Sequence, residues 1–368
     1  MCLYGERHRS PNKIRQDFAP RSGVGQPKIR LDGKFVVVQY QSMGDEEIEN
    51  DDPGFPPVSS EESGQKLLQF LQRRLDLPAT LLHRWMRTGQ IRLNGGRVKA
   101  FERVKTGDIV RLPPFAGKIS GNCGKAETVG EPLEIVGKAG NILALAKPAG
   151  LAVHGGTGQV DSVCARLEAQ FGNLPFRPVP AHRLDRDTSG ILLCGASYEA
   201  LAGLQGALRN HQTHKEYLAW VEGRFETSRL LVGRIAKLGP KGREKMQLSA
   251  QGKLALCLAR PLDSNNDASL VQLRLLTGRT HQIRAQMAAI GHPVLGDVKY
   301  GAQKRSGGML LHAFRVILPE GATFTCPPSW SGGFMPAGLP PVLEITPEIN
   351  RQIESVAAQS ANRYKGNI

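Results

Sequence analysis

The chain has 368 residues, with 48 Lys and Arg against 33 Asp and Glu and a formal net charge of +15. Apolar residues make up 40%, enough to pack one sizeable domain and a smaller one. No apolar run approaches the roughly 18 residues of a membrane span, no secretory signal opens the chain, and the six cysteines are scattered without a C-x-x-C, which argues against a disulfide scaffold or zinc cluster and for reduced thiols in the cytoplasm. So basic a balance points to a polyanionic partner, nucleic acid before a membrane surface.

Residues 1–28 are basic and poor in acids, and read as an unstructured arm. KIRLDGKFVVVQY (28–40) reads as a strand pair, since FVVV is strongly β-prone. GDEEIENDDPGFPPVSSEE (44–62) is acidic and proline-rich, a linker that completes an extension over 1–62. A small domain is expected over 63–114. Ser63 is the expected cap of a helix carrying Leu67, Leu68, Leu71 and Leu75. Pro78 opens a second helix with Leu81, Leu82, Trp85 and Met86, and Gly89 ends it. Asn94-Gly95 marks a hairpin between short strands. From Arg73 to Arg111 the chain holds ten Lys and Arg against three acids. Arg84 and Arg87 lie one turn apart on the second helix, and Arg92, Arg97 and Lys99 sit on the hairpin. Such a face suits RNA phosphates, because A-form RNA is read mainly by shape and backbone; the plainer reading is a solvated face.

Residues 115–130 read as a linker. From Pro132 short strands predominate: LEIVG, NILALAKP, GILLCGA, KEYLAWVEG, LALCLARPL and SLVQLRLL. Helices are expected over 161–171, 200–210 and 281–291. Strands without βαβ alternation predict an α+β domain over 131–348 with a mixed, mostly antiparallel sheet. A short polar helix after Ile345 and a tail over 349–368 finish the chain.

Three segments carry chemistry. In AHRLDRDTSGILL (181–193), Asp185 precedes a tight turn and an apolar strand. Arg183 and Arg186 flank it, and nearby cations favour an ionised carboxylate, which can attack carbon or remove a proton. Taken alone it reads more readily as a structural turn residue, a role for which Asp187 is better suited. Tyr217, in the strand KEYLAWVEG, reads as core, or as a ring that stacks on a base. TGRTHQIR brings Arg279 and Arg284 five residues apart with His281 and Gln282 between, and its Gly278 turn opens a helix whose N-terminus suits phosphate. His281 has no neighbouring metal ligands in sequence, and His211 with His214 is weak evidence, so no metal is expected. HGGTGQ (154–159) lacks the strand–helix context of a nucleotide fingerprint, and no P-loop, H-E-x-x-H or G-x-S-x-G occurs.

Together these segments resemble known families. LLHRWMRTGQIRLNGGRVKAFERVKTGDIVRLP resembles an S4 domain, a small RNA-binding module, over roughly 64–114. HRLDRDTSG closely resembles the catalytic motif H-R-L-D-x-x-T-S-G of the RluA-type pseudouridine synthases. LALAKPAGLAVHGG (around Lys147, Pro148, Gly150 and His154), KEYLAWVEG, TGRTHQIR, GHPVLGDVKYG and LLHAFRVILP resemble that family's other motifs in the same order, over about 130–330. VGKAG (136–140) and the basic GAQKRSGGM (301–309) depart from its pattern.

The resemblance implies a pseudouridine synthase fold and an enzyme that detaches uracil from C1′ of a flipped-out uridine and rejoins it through C5. By correspondence Asp185 is the catalytic aspartate, Tyr217 packs on the target base, Arg284 pairs with the aspartate, and Arg183 enters the stack as the uridine leaves. His182, Arg279, His281 and Gln282 lie in the same motifs and join the expected RNA-contacting set. Bond breaking and making within one pocket need neither cofactor nor metal; a covalent adduct and a glycal intermediate remain alternatives. A phenol with a pKa near 10 would need a shift for Tyr217 to act as a base. The S4-like unit favours large-subunit ribosomal RNA, before or during assembly, bound by a monomer. Transfer RNA, a non-catalytic assembly factor on the same fold, and a glycosidic-bond hydrolase are the alternatives. Hydrolysis wants two convergent carboxylates across the bond, so Asp185 and Asp187 would need to converge.

Overall fold

The computed structural model describes residues 28–31, 34–37, 56–75, 77–113, 116, 130–155, 161–240 and 244–365. The chain forms two compact units, Met1–Pro53 and Gly54–Ile368. In the first, β1 (Lys28–Leu31) pairs antiparallel with β2 (Lys34–Val37). The basic arm before Lys28, the acidic stretch over 44–55, residues 156–159 of HGGTGQ and nearly all of the 115–130 linker lie outside the described residues.

The second unit begins with two helices on a small sheet. α1 (Leu67–Leu75) buries Leu67, Phe70, Leu71 and Leu75, and α2 (Ala79–Arg87) buries Leu82, Trp85 and Met86. These positions recur at helical spacing, so one stripe of each helix faces a shared core. Pro78 precedes α2 as expected. Ser63 does not cap α1, which starts four residues later; its amide closes a 3-10 turn over Ser60–Glu62 instead. β3 (Arg92–Leu93) and β4 (Gly96–Arg97) are joined by Asn94 and Gly95, both at positive φ (49° and 79°). That backbone is the one a two-residue hairpin needs, and it explains the Asn-Gly pair. β5 (Val110–Arg111) completes the sheet beside β3.

The larger part holds β6 (Glu134–Ala139), β7 (Ile142–Lys147), α3 (Val163–Phe171), β8 (Val179–Pro180), β9 (Ser189–Gly195) and α4 (Tyr198–Arg209). These are followed by β10 (His214–Glu222), β11 (Arg229–Leu238), β12 (Lys245–Leu248), β13 (Lys253–Ser264) and β14 (Ala268–Leu275). Then come α5 (Gln282–Ala289), β15 (Leu311–Ile317), β16 (Thr323–Thr325) and α6 (Pro347–Lys365). The strands form an 11-stranded sheet in the order β12-β11-β13-β14-β10-β15-β9-β7-β6, with β16 beside β15 and β8 beside β9. All its pairings are antiparallel except β15 with β9, where only His312↔Ser189 and Ala313↔Gly190 are in register. The class is α+β with a mixed, mostly antiparallel sheet. Gly190 has φ +105°, and a β-carbon there would collide with the Ala313 carbonyl, so this parallel seam requires glycine.

β10 is central, and its alternation sets the two faces of the sheet. Tyr217, Ala219 and Val221 join the core under α3 and α5; Leu218 and Trp220 join the opposite core with Phe314 and Trp330. β8, β11, β12 and β16 were not expected. β11 carries Gly233 and three cations, which masks its alternation. α6 is 19 residues long where a short helix and tail were expected. Among the described residues no helix is long and apolar enough to cross a membrane.

Glu216 lies on the opposite face from Tyr217 and is wholly buried. Its carboxylate accepts from Arg315 (2.7 Å), Gln272 (2.9 Å) and the Leu343 amide (2.6 Å), and meets His214 at 2.7 Å. Burial opposes the charge, but the hydrogen bonds from His214, Leu343 and Gln272 prevail and hold the carboxyl below the ordinary glutamate value. Because the folded-state pKa is lowered, this contribution is full above about pH 4.3 and is lost as the pH falls below it. Glu216→Gln should therefore cost about 3–5 kcal/mol at pH 7, since it leaves Arg315 buried and unpaired. Urea unfolding should show the gap to wild type narrowing at pH 4; an equal gap at both values would contradict the assignment.

Candidate active site

Asp185 stands in the turn between β8 and β9. The Thr188 amide closes that turn on the Asp185 carbonyl at 3.1 Å. Lys147, at the end of β7, is 1% exposed, and its ammonium donates to the carbonyls of Pro148, Leu151 and Arg186 at 2.7, 2.8 and 2.9 Å. Burial pushes this lysine down to about 8, with Asp187 and Asp185 opposing. The Gly150 amide also donates to the Arg186 carbonyl (2.9 Å). Two donors on one carbonyl fix the residue that follows Asp185, which accounts for the Lys-Pro-x-Gly segment far upstream in sequence.

Arg186 does not hold Asp185. Its guanidinium pairs with Asp187 at 3.0 Å, and both side chains are exposed. Asp187 therefore makes an ion pair rather than the turn bond expected of it. The partner of Asp185 comes from α5: Arg284 Nη1 donates to its Oδ2 at 3.0 Å. Arg284 is itself held from behind by Asp297, with Nε to Oδ2 at 2.7 Å and Nη2 to Oδ1 at 2.8 Å. Both residues of this bidentate pair are buried, so the guanidinium has one orientation and one remaining edge, which faces Asp185. The Tyr300 ring lies 5.1 Å from the Arg284 guanidinium carbon.

His281 precedes α5 with φ 50° and ψ 27°, a left-handed conformation rare for a residue with a side chain. Its Nδ1 meets the Tyr300 hydroxyl at 2.9 Å, and Nε2 lies 3.7 Å from Asp185 Oδ1. The Tyr300 hydroxyl also accepts the Met246 amide at 3.1 Å. Burial pushes His281 down, with the Asp185 charge opposing.

Tyr217 reaches the same cavity from β10, and burial followed by the Asp185 charge pushes its phenol upward. The shift runs opposite to what a tyrosinate base would need. Gln282 accepts from Thr277 (2.8 Å) and the Arg279 amide (3.0 Å) and donates to the Leu256 carbonyl (3.0 Å). Its polar atoms are spent on bracing the Gly278 turn. Arg279 Nε donates to the Leu254 carbonyl at 2.8 Å. His182 accepts the Leu193 amide on Nε2 (3.1 Å), and burial, with Lys215 adding, pushes it down to about 4. It is neutral and ties the Asp185 turn to β9. Arg183 is exposed and has no ion-pair partner among the described residues.

The cavity measures about 480 Å³, within the range of small-molecule sites. Asp185, Tyr217 and Arg284 meet there against Leu275, Ile283 and Leu311. The expected residues His182, Arg183, Arg279, His281 and Gln282 also line it. Arg84, Arg87, Arg92, Arg97 and Lys99 are all exposed on the two-helix module and do not line the cavity. Asp297 and Tyr300 were not singled out from the sequence, although both belong to the quoted GHPVLGDVKYG. One carboxylate, gripped by a fixed guanidinium beside an aromatic ring, can act on a planar ring and its attached sugar. Among the described residues lining the cavity Asp185 is the one carboxylate, whereas hydrolysis uses two.

The family described as RNA pseudouridylate synthase matches residues 141–289, a span that includes Asp185, Tyr217 and Arg284. The chain is 34% identical over 288 residues to ribosomal large subunit pseudouridine synthase C of Haemophilus influenzae, covering 74% of this chain and 88% of that protein. It is 32% identical over 253 residues to the protein of the same name from Escherichia coli (strain K12), covering 66% and 78%. Among solved structures, human RNA pseudouridylate synthase domain containing 1 aligns with a TM-score of 0.48 at 26% identity, over 63% of this chain and 98% of that one.

Proposed function

This chain belongs to the RNA pseudouridine synthase family, and on that premise we propose that its target uridine lies in large-subunit ribosomal RNA and that Asp185 is the group that acts on it. The observation that carries the role of Asp185 is its isolation: it is the cavity carboxylate held by Arg284, beside the buried Tyr217 ring. The uridine flips out of its helix, Arg183 fills the gap at the exposed mouth, and the base lies on the Tyr217 ring. Asp185 then assists cleavage of the N1–C1′ bond, by forming an ester at C1′ or by taking the C2′ proton. Both routes use the same carboxylate. The detached uracil turns and C5 bonds to C1′ as the ester to Asp185 breaks or, on the other route, as the C2′ proton returns from Asp185; the C5 hydrogen leaves as a proton, and N1 gains one. Arg284 keeps the carboxylate aimed throughout. Tyr217 serves as a neutral ring, since its phenol is pushed upward.

The substrate rests on two supports. Relatives sharing 32–34% of aligned residues carry the name ribosomal large subunit pseudouridine synthase C. The two-helix module exposes Arg84, Arg87, Arg92, Arg97 and Lys99, as an RNA-docking S4-like domain would. The enzyme acts as a monomer in the cytoplasm, on RNA that is not yet buried in the assembled subunit. Wild-type protein should release tritium from C5-labelled uridine in a large-subunit RNA transcript and leave a transfer-RNA pool untouched. Release from transfer RNA alone would overturn the substrate; free uracil as product would overturn the reaction.

A further inference from the structure

A second part of the cavity is cationic and lacks a counter-ion. Arg209 at the end of α4, His211 in the connection that follows and Lys215 at the start of β10 line the cavity together with Arg279. Among the described residues none of these four has a carboxylate partner. The one carboxylate of the cavity, Asp185, is taken by Arg284. Lys215 is half-buried, and a β-carbon on Gly278 would lie only 3.8 Å from its Nζ, so the ammonium sits against that turn. Burial pushes Lys215 down, and burial first, then the Lys215 and Arg279 charges, push His211 down. Lys215 and Arg279 are half-buried and Arg209 and His211 exposed; cations gathered without a facing carboxylate raise the energy of the empty protein, and an arriving anion relieves it.

Taking the substrate to be RNA as proposed above, we infer that Lys215, with Arg209, His211 and Arg279, forms a phosphate-holding subsite for the backbone beside the flipped nucleotide. The geometry fits the task. Tyr217 and Lys215 are two residues apart on β10, so their side chains share a face of the sheet, one beneath the base and the other at the cavity wall. The 2′-endowed sugar then bridges the two, with C1′ near Asp185. A phosphate here fixes the register of the nucleotide relative to the carboxylate, and holds it while the detached base turns. It contributes equally before and during the reaction, so its loss raises KM and spares kcat.

The test compares full-length wild type with Lys215→Gln and Lys215→Arg. RNA binding is measured on a large-subunit transcript across salt concentrations, and turnover by tritium release. One lost phosphate contact lowers the slope of log K against log salt by about 0.7–0.9, and weakens binding about five- to eightfold at 0.1 M salt. Lys215→Gln is expected to show both, with KM raised by the same factor, kcat within about twofold, and an unchanged melting temperature. Lys215→Arg is expected to restore the slope. An unchanged slope and affinity in Lys215→Gln would overturn the subsite, as would a loss confined to kcat or a loss that Lys215→Arg does not repair. Binding is read apart from turnover, so an inactive wild type would refute the enzymatic reading while the slopes still judge the subsite.

Discussion

Asp185→Asn should reduce tritium release by at least about ten-thousandfold, the scale on which removal of an essential reacting group acts, while RNA affinity stays equal to wild type or rises. The amide keeps the shape of the carboxylate but gives up its charge and nucleophilicity. The substitution is clean for a structural reason. Arg284 loses one hydrogen bond of three, and the two to Asp297 keep the guanidinium in place. The Thr188 amide bonds to the backbone carbonyl of residue 185, not to its side chain, so the turn persists. Stability should therefore change by less than about 1 kcal/mol, as for a partly exposed ion pair. Single-turnover tritium release, RNA binding by filter retention and thermal melting check the three expectations. Turnover within about tenfold of wild type would remove Asp185 from the chemistry.

The second large effect separates holding Arg284 from having it. Arg284→Met leaves the Asp297 carboxylate buried without a partner, at a cost of about 3–5 kcal/mol, and removes the group that aims Asp185, at a cost of about a hundredfold in kcat or more. Asp297→Asn keeps Arg284 but frees its inner edge. The guanidinium can then tilt, and misplacement on the ångström scale costs about a hundredfold. The double variant Arg284→Met with Asp297→Asn tells the terms apart. It should regain much of the stability lost in Arg284→Met, because no buried charge remains unpaired, and it should be no more active. Urea unfolding and tritium release on the four proteins form a cycle. Additive losses of stability would mean that the two side chains do not act as a pair.

Much of the site was legible because its residues travel in short motifs. HRLDRDTSG carries the carboxylate and the turn that presents it, and TGRTHQIR carries the guanidinium. Spacing alone did not say which charge meets which; the resemblance did, in giving Arg284 to Asp185. Arg186 is Asp185's neighbour along the chain yet turns to Asp187, and the true partner arrives from 99 residues away. Asp297 escaped notice because a lone aspartate after glycine looks like any turn residue; only burial beside Arg284 gives it meaning. Lys147 looks like the end of a strand until three carbonyls converge on it. The fold class followed from strands without βαβ alternation, but β11 and β12 were missed. β11 leaves Val232 48% exposed on a partly solvated strand interrupted by glycine, so no regular alternation survives to be read.

The parallel seam between β9 and β15 has a consequence for how the molecule becomes active. On one side of it, β6 to β9 form an antiparallel block that presents Asp185; on the other, β10 to β15 form a block that presents Tyr217 and Arg284. Most pairings within each block join nearer segments, although β10 and β15 pair across about 100 positions; the seam joins residues 123 positions apart through two registered pairs. Distant contacts of this kind carry the largest loop-closure cost and form late. A chain with both blocks formed and the seam open has nearly all of its strands and none of its active site. Catalytic competence therefore ripens after the bulk of the secondary structure, and turnover is a more exacting measure of completed folding than any spectrum of the backbone.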